Sequence, residues 1–282
     1  MKLTSIAIVA AACWVSGCAI SNPSASSATP GSGNVTGNWQ LIATSTQTPF
    51  AGAANPLGIF LTAAGGTVSG IPWIQEAFPT VVCATPTPQC EFPFEGVSGP
   101  MSGTIDANGN LVLSSVASSG TIFTITAMVG SNGVMSGTYT ITGIPFPDQG
   151  TVSANMIGML DGTYTGTVVS SETGASMGMT TTLTQTATPD AMGFLRVTES
   201  ATFTGSPCFT TAVMQGPAAT YSGFLGNVLQ VNLVAANNPD TFIVASGAVA
   251  PDAKTIQFHY DIAKLPGSSC TNDYGGGTLT LQ

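Results

Sequence analysis

One serine motif and the only histidine of this chain have the residue types and the order that nucleophilic chemistry could use. Residues 174–178 fit the G-x-S-x-G pattern around Ser176, and Asp240 or Asp252 followed by His259 completes the order serine, aspartate, histidine. That pattern works where a strand turns sharply into a helix, but the segments on both sides are threonine-rich and predict strands. We therefore interpret residues 174–178 as a glycine-rich loop, and we predict no catalytic residue and no enzymatic activity.

A second motif resembles the start of a calcium-binding loop. Asp106, Asn108 and Asn110 alternate along the chain, as the first oxygen ligands of such a loop do. The later glycine and the terminal glutamate of the EF-hand pattern are missing, so a tight hairpin turn is the stronger interpretation.

Three further acids, Glu76, Glu91 and Glu95, surround a proline-rich stretch. Paired carboxylates can perform glycoside hydrolysis, but acids on a proline-rich surface loop are more often solvated. His259 alternates with apolar residues in a predicted strand, which favours a packed or surface imidazole over a catalytic one. We predict no metal site and no cofactor.

The N-terminus carries the most specific functional signal in the sequence. Lys2 precedes an apolar run over residues 3–15, which is too short for a comfortable membrane span, and Ser16 and Gly17 then lead into Cys18. This segment resembles the signal peptide and lipobox of bacterial lipoprotein precursors. The resemblance implies cleavage before Cys18, lipidation of its sulfur and a membrane anchor; an ordinary secretory signal is the alternative.

The same resemblance implies a location in the cell envelope. Several acyl chains on one residue hold a protein far more firmly than one reversible chain does. By analogy with lipoprotein sorting, Ala19 after the cysteine indicates the outer membrane. Residues 18–34 have the small, polar composition of a flexible tether between the anchor and the folded body.

The predicted signal peptide separates the cysteines by role. Cys18 takes the lipid, and Cys83, Cys90, Cys208 and Cys270 remain as an even set in an exported, oxidising compartment. Four cysteines allow three connectivities; we favour Cys83 with Cys90 and Cys208 with Cys270, because each pair then lies in one half of the chain. Neither C-x-x-C spacing nor a nearby histidine supports a metal site.

Composition limits the possible partners. The chain has a formal net charge of −9, and its only bases beyond the leader are Arg196, Lys254 and Lys264. These cannot form the basic patch that neutralises phosphates, so we predict no nucleic-acid binding. The low content of charged residues (6%) goes together with 43% hydrophobic residues, which is enough apolar material for a folded core.

Alternating apolar residues and turn signals predict an all-β fold. The sequence contains 34 glycines and 18 prolines and no sustained helical periodicity. In the first half we predict strands at residues 36–43, 57–62, 67–73, 101–105, 111–116, 121–129 and 134–141. In the second half we predict strands at residues 164–170, 179–186, 194–203, 219–224, 228–234, 241–249, 255–262 and 277–281, with one of the turns at residues 238–240.

The two halves resemble each other. Gly37 and Trp39 match Gly162 and Tyr164 at an offset of 125. Further matches are Cys83 with Cys208, residues 138–141 with 259–262, and residues 150–151 with 277–278. The similarity predicts an internal repeat of about 120 residues, near the usual size of one domain; chance matching in a chain rich in Gly and Thr is the alternative.

The pair Gly37-x-Trp39 also resembles the opening of lipocalins. That resemblance implies an eight-stranded barrel that holds an apolar ligand. A partner arginine near the end of the barrel cannot be assigned, because Arg196 is the only arginine.

These observations lead to one prediction of architecture. We expect a signal peptide (1–17), a lipidated linker (18–34) and two tandem antiparallel β-barrel or β-sandwich modules (35–156 and 157–282). The expected function is a non-enzymatic binding module for a small apolar ligand, a glycan or a partner protein. A structural surface protein without a dedicated site is the second hypothesis, and a hydrolase is the third.

Overall fold

The chain forms eighteen β-strands in the part that the computed structural model describes, which is residues 35–75, 99–117, 119–144, 147–206, 211–214, 223–236, 238–264 and 273–282. The first nine strands are β1 (Gly37–Ser45), β2 (Ala54–Ala64), β3 (Thr67–Gly70), β4 (Pro72–Ile74), β5 (Met101–Ile105), β6 (Asn110–Val116), β7 (Ile122–Val129), β8 (Val134–Thr142) and β9 (Asp148–Ile157). The other nine are β10 (Gly162–Ser170), β11 (Ser176–Gln185), β12 (Val197–Thr204), β13 (Thr211–Met214), β14 (Gly223–Leu225), β15 (Val228–Ala235), β16 (Asn238–Val249), β17 (Thr255–Lys264) and β18 (Asp273–Leu281).

Strands β1 to β9 form the first barrel. Each strand pairs antiparallel with its neighbour in the order β1-β9-β8-β7-β6-β5-β3-β2, and the additional pairing of β1 with β2 closes the ring of eight. The short β4 continues β3 along β2. The seam between first and last strand is therefore β1 with β9, paired from Asn38 opposite Ile157 to Ser45 opposite Gly150.

Strands β10 to β18 repeat this plan as the second barrel. Their order is β13-β12-β11-β10-β18-β17-β16-β15, closed by pairing of β13 with β15, while β14 continues alongside β15. The seam is β10 with β18. The predicted all-β class with two tandem modules is confirmed, and both modules are closed barrels rather than sandwiches.

Alternation along each strand separates the lumen from the outer face. In β6 the lumen side chains Leu111 and Leu113 are buried, whereas the outward Val112 is exposed. Tight turns join the strands: at the β5–β6 turn, Asp106 accepts hydrogen bonds from the backbone of Asn108 and Asn110.

Polar contacts fix the two barrels against each other at a junction defined by Asn38, Gln40 and Gln75 of the first barrel and the β14–β15 turn of the second. Asn38 Nδ2 donates to the Gly226 carbonyl at 2.8 Å, and its Oδ1 accepts from the Gly226 N–H at 2.7 Å. Gln40 Oε1 accepts from the Asn227 N–H at 2.8 Å, and Gln75 Nε2 donates to the Leu225 carbonyl at 3.1 Å. Three side-chain amides thus satisfy the backbone of one turn.

The junction is also closely packed. A Cβ added at Gly58 would lie 2.8 Å from the Gly226 nitrogen, so only glycine allows the two backbones to approach this closely. Trp73 packs against Phe194 with ring centroids 5.4 Å apart. Phe60 points away from its own lumen and joins the apolar core of the second barrel.

The structure corrects the predicted strand list at four places. The strand predicted at residues 67–73 is divided into β3 and β4. Strand β9, which closes the first barrel, was not predicted, and neither was β13. Asn238, predicted as part of a turn, instead opens β16 opposite Ala235, at a register shift. Within the described residues, no helix is long and apolar enough to cross a membrane.

Candidate functional site

The most specific polar arrangement in the structure is a serine, an aspartate and a tyrosine at the seam of the first barrel, which we call the seam triad. Ser45 Oγ donates to Asp148 Oδ1 at 2.6 Å, and Tyr139 Oη donates to Asp148 Oδ2 at 2.6 Å. Ser45 ends β1, Asp148 begins β9 and Tyr139 lies on β8. One carboxylate therefore ties the first strand to the last two.

The second barrel carries the same triad. Ser170 Oγ donates to Asp273 Oδ1 at 2.7 Å, and Tyr260 Oη donates to Asp273 Oδ2 at 2.9 Å. Thr173 extends this set, because its hydroxyl donates to Ser170 Oγ at 2.9 Å. Ser170, Asp273 and Tyr260 occupy β10, β18 and β17, which are the equivalents of β1, β9 and β8.

A glycine makes room for the tyrosine ring in both triads. Gly150 is paired with Ser45 on one side and with Tyr139 on the other, and a Cβ there would lie 2.8 Å from Tyr139 Cε1. Gly275 is paired in the same way, and its added Cβ would lie 2.9 Å from Tyr260 Oη. The Asp-x-Gly spacing at the start of β9 and β18 thus places a glycine where a side chain would meet both the neighbouring backbone, at Thr44 or Val169, and the tyrosine of the triad.

The electrostatics of the triad favour permanent hydrogen bonds between the strands. Burial raises the pKa of Tyr139, and the hydrogen bond to Asp148 and its charge raise it further. The phenol therefore stays protonated and keeps donating. Each carboxylate oxygen already accepts one hydroxyl, and Ser45 and Asp148 are each only 2% exposed. The arrangement suits strand closure, because both hydroxyl protons are already committed to the carboxylate.

The sequence held a signal for the triads that the pattern analysis did not use. Ser45 and Ser170 differ by 125 positions, and so do Asp148 and Asp273. The tyrosines differ by 121, because the tyrosine-to-aspartate separation is 9 residues in the first barrel and 13 in the second. By strand pairing, Gly150 corresponds to Gly275, so the match of residues 150–151 with 277–278 is wrong by two residues.

The structure does not bring together Ser176 and His259, the residues of the disfavoured hydrolase hypothesis. Ser176 is paired with Val169, Val169 with Gly276, and Gly276 with His259. Three strand spacings separate Ser176 from His259, about 14 Å along the barrel wall. Both side chains are exposed on the outer face.

The other predicted residues fall into two groups. The calcium-like motif forms a turn: Asp106 Oδ2 accepts from Asn110 Nδ2 at 2.7 Å, and this bond is the largest cause of the lowered pKa of Asp106. No group of three or more His, Cys, Asp or Glu side chains that could hold a metal occurs in the described ranges. The remaining predicted residues lie outside the described residues, namely Cys18, Cys83, Cys90, Cys208, Cys270, Glu76, Glu91 and Glu95.

The barrel lumens are filled by their own side chains. In the first barrel Trp39, Phe123 and Tyr139 are 0 to 1% exposed, and in the second Tyr164 and Phe258 are likewise 0 to 1% exposed. A cavity large enough for a small molecule would leave accessible surface on the side chains that line it. The burial of these described lumen side chains is what a filled barrel predicts.

One buried acid stands apart from the triads. Glu199 lies on β12, is 2% exposed and accepts a hydrogen bond from Thr181 Oγ1 at 3.0 Å. Sequence reasoning missed it, although Val197, Ala201 and Phe203 alternate with polar residues and place Glu199 on the inward face.

Comparison with known proteins adds little to this geometry. No protein-family model matches the chain. No curated protein matches its sequence. Among solved structures, the chain is similar to a protein of unknown function from the DUF3598 family of Nostoc punctiforme, with 11% identity, a TM-score of 0.27, and coverage of 88% of this chain and 96% of the other.

Proposed function

We propose that this protein is a lipid-anchored, non-catalytic structural module of the cell envelope, built of two filled barrels that project from an acylated Cys18. The observation that carries the proposal is the filling of both lumens. Proteins that bind small molecules keep a cavity of several hundred Å³, whereas the lumen side chains Trp39 and Tyr164 are 0% exposed. A filled barrel is a rigid element rather than a container for a ligand.

The junction supports the same proposal. Interfaces between domains of one chain commonly permit relative motion, but here Asn38, Gln40 and Gln75 bind the backbone of the β14–β15 turn through four buried or part-buried hydrogen bonds. Two barrels fixed in this way act as one rigid body of fixed length, which suits a spacer or a presenting element above a membrane.

A binding titration tests the filled lumens. The apolar fluorophore 1-N-phenylnaphthylamine becomes brighter when it enters a protein cavity, and a lipocalin serves as the positive control. We expect no saturable signal from the folded protein. A saturable signal at one probe per barrel would contradict the proposal and restore the hypothesis of a small apolar ligand.

Cell fractionation tests the anchor, which rests on the lipobox-like residues before Cys18. A Cys18→Ser variant should move from the membrane fraction to the soluble fraction, because the lipid supplies the attachment. The matched control is Cys13→Ser, which changes a cysteine within the leader itself. Retention of Cys18→Ser in the outer membrane would overturn the anchor, and recovery of the wild type from the inner membrane would overturn the proposed sorting.

A second candidate function is recognition of a glycan on the outer face of the second barrel. Tyr274 is 52% exposed and lies beside Asp261, which in turn is paired with the exposed Val244. An exposed ring next to a carboxylate offers stacking and hydrogen bonding to a sugar. Co-sedimentation with purified cell-wall glycan should be weakened by Tyr274→Ala and unchanged by Met128→Ala, an equally exposed control on the first barrel. Sedimentation that is absent, or equal in all three proteins, would exclude this function.

A further inference from the structure

The lumen of the second barrel contains a carboxyl group that is not fully satisfied. Glu199 Oε1 accepts from Thr181 Oγ1 at 3.0 Å, whereas Glu199 Oε2 is buried without a hydrogen-bond partner among the residues that the structure describes. A buried ion without compensation is strongly disfavoured, and a buried acid avoids that penalty by keeping its proton. Glu199 must therefore keep its proton in the folded barrel, or the side chains around it must move when it ionises.

The first barrel shows that its fold does not need this acid. Leu61 is paired with Gly37, and Leu183 with Gly162, so these leucines are equivalent. Glu199 lies opposite Leu183, and the register of β2 with β3 places Gly70 opposite Leu61. A Cβ at Gly70 would lie 2.9 Å from the Ile59 side chain.

Ile59 therefore fills, in the first barrel, the space that the Glu199 side chain takes in the second. Its own equivalent in the second barrel is Thr181, by the same register. Where the first barrel has an isoleucine and a glycine, the second barrel therefore has a threonine and a glutamate. An apolar pair would fill the second lumen equally well, so the acid adds a proton-dependent property that packing does not demand.

Among the described residues, no charged group faces Glu199 in the lumen. On β11 its lumen neighbours are Met179, Thr181 and Leu183, and on its own strand they are Val197 and Ala201; none of these titrates. The described lumen residues of the other adjacent strands are likewise apolar, namely Ala212 on β13 and Leu233 and Ala235 on β15.

The remaining titratable groups near this part of the barrel are engaged elsewhere. Tyr164 Oη donates to the Ala253 carbonyl, and Tyr260 donates to Asp273. The nearest base along the chain, Arg196, is paired with Asp190 on the surface at 2.7 Å.

We infer that Glu199 is a proton-dependent stability element of the second barrel: it is buried in its neutral form, and its ionisation loosens this barrel and not the first. Burial raises the pKa of Glu199 from 4.5 to about 7, and the Thr181 hydrogen bond offsets this only in part. Below pH 4.5 the folded and unfolded chains both carry the proton, so this group leaves stability unchanged.

Between these two pKa values the folded chain holds a proton that the unfolded chain has lost. The unfolding equilibrium constant then rises about tenfold per pH unit and levels off above the folded pKa. Over the whole interval the increase is on the order of 10²-fold. The second barrel is accordingly most stable in mildly acidic surroundings.

Denaturant unfolding of the mature protein between pH 4 and pH 8 tests the inference. Near pH 4 the unfolding equilibrium constant of Glu199→Gln should match that of the wild type. At pH 8 it should be smaller than that of the wild type, on the order of 10²-fold. Glu172→Gln is the matched control, because Glu172 is an exposed acid of the same barrel; it should follow the wild type at every pH. Parallel profiles for the wild type and Glu199→Gln would overturn the inference.

A second measurement needs no variant. With ¹³Cδ-labelled glutamate, the NMR spectrum of the wild-type protein should show one of its five glutamate signals titrating with a midpoint near 7. If all five titrate near the ordinary glutamate pKa of about 4.3, the carboxyl is not protonated in the fold and the inference fails.

Discussion

In the first barrel, the lumen beside β2 holds Ile59 and the bare backbone of Gly70, while the equivalent positions of the second barrel hold Thr181 and Glu199. The seam shows the opposite behaviour, because both barrels close with a serine, an aspartate and a tyrosine in the same strand positions. Packing positions can be exchanged if the volume is kept. A hydrogen-bonded closure depends on particular atoms and does not permit such exchange.

The two seams differ in burial. Asp148 of the first barrel is 2% exposed, whereas Asp273 of the second is partly exposed. Removing a buried acceptor leaves its donors unsatisfied without access to water, and the cost falls as exposure rises. The same triad should therefore contribute more to the stability of the first barrel.

The largest expected effect comes from removing the shared acceptor of the first seam. Asp148→Ala removes the acceptor that the Ser45 and Tyr139 hydroxyls share and should cost about 3–5 kcal/mol of unfolding free energy. Asp273→Ala should cost about half as much, because Asp273 is itself partly exposed and water can take the place of its carboxylate, although Ser170 and Tyr260 are buried. Denaturant unfolding measures both, with the exposed Asp161→Ala as control. Equal losses at the two seams would show that burial does not distinguish them.

The next effect concerns the junction. Asn38→Ala removes two hydrogen bonds to Gly226 and should cost about 2–3 kcal/mol. Trp39 and Trp73, the only tryptophans among the described residues, both lie in the first barrel. Once the barrels are uncoupled, the unfolding transition followed by tryptophan fluorescence should therefore no longer coincide with the transition followed by circular dichroism.

The control for this variant is Asn155→Ala, which changes an exposed asparagine of the first barrel. It should leave the two transitions coincident. If Asn38→Ala also left them coincident at wild-type denaturant concentration, the amide contacts would not be what couples the barrels.

The smallest effect concerns one buried hydroxyl of the second barrel. Tyr164 Oη donates to the Ala253 carbonyl at 2.6 Å, whereas Trp39, its equivalent in the first barrel, bonds locally to the Val35 carbonyl. Tyr164→Phe should cost about 1 kcal/mol in unfolding measurements, and the exposed Tyr274→Phe should cost nothing measurable. A neutral Tyr164→Phe would mean that the long-range bond adds no stability.

Much of the fold followed from local signals. Alternation and turn residues predicted most strands, because a lumen side and a solvent side impose a period of two. The seam strand β9 was missed, since its inward positions include Asp148, Gly150 and Ala154, which lack the bulk and branching that mark a strand. The triad accounts for Asp148 and Gly150, so the local rule failed where a tertiary contact decides the residue types.

The candidate sites were less accessible to sequence reasoning. Asn38 and Gln40 occupy outward positions of β1, where polar residues indicate solvent, yet the second barrel buries them. Their partners lie 187 or 188 positions away, and no local pattern reports such a contact. Glu199 could have been found, because one acid on the inward face of an alternating strand is unusual and therefore informative.

Native mass spectrometry of the protein purified from its own envelope tests the central claim, that two filled barrels form a lipid-anchored structural module. We predict a mass equal to residues 18–282 plus the acyl groups on Cys18, with no further bound molecule. A stoichiometric small molecule retained by the folded protein would contradict the filled lumens, and a mass without acyl groups would contradict the anchor.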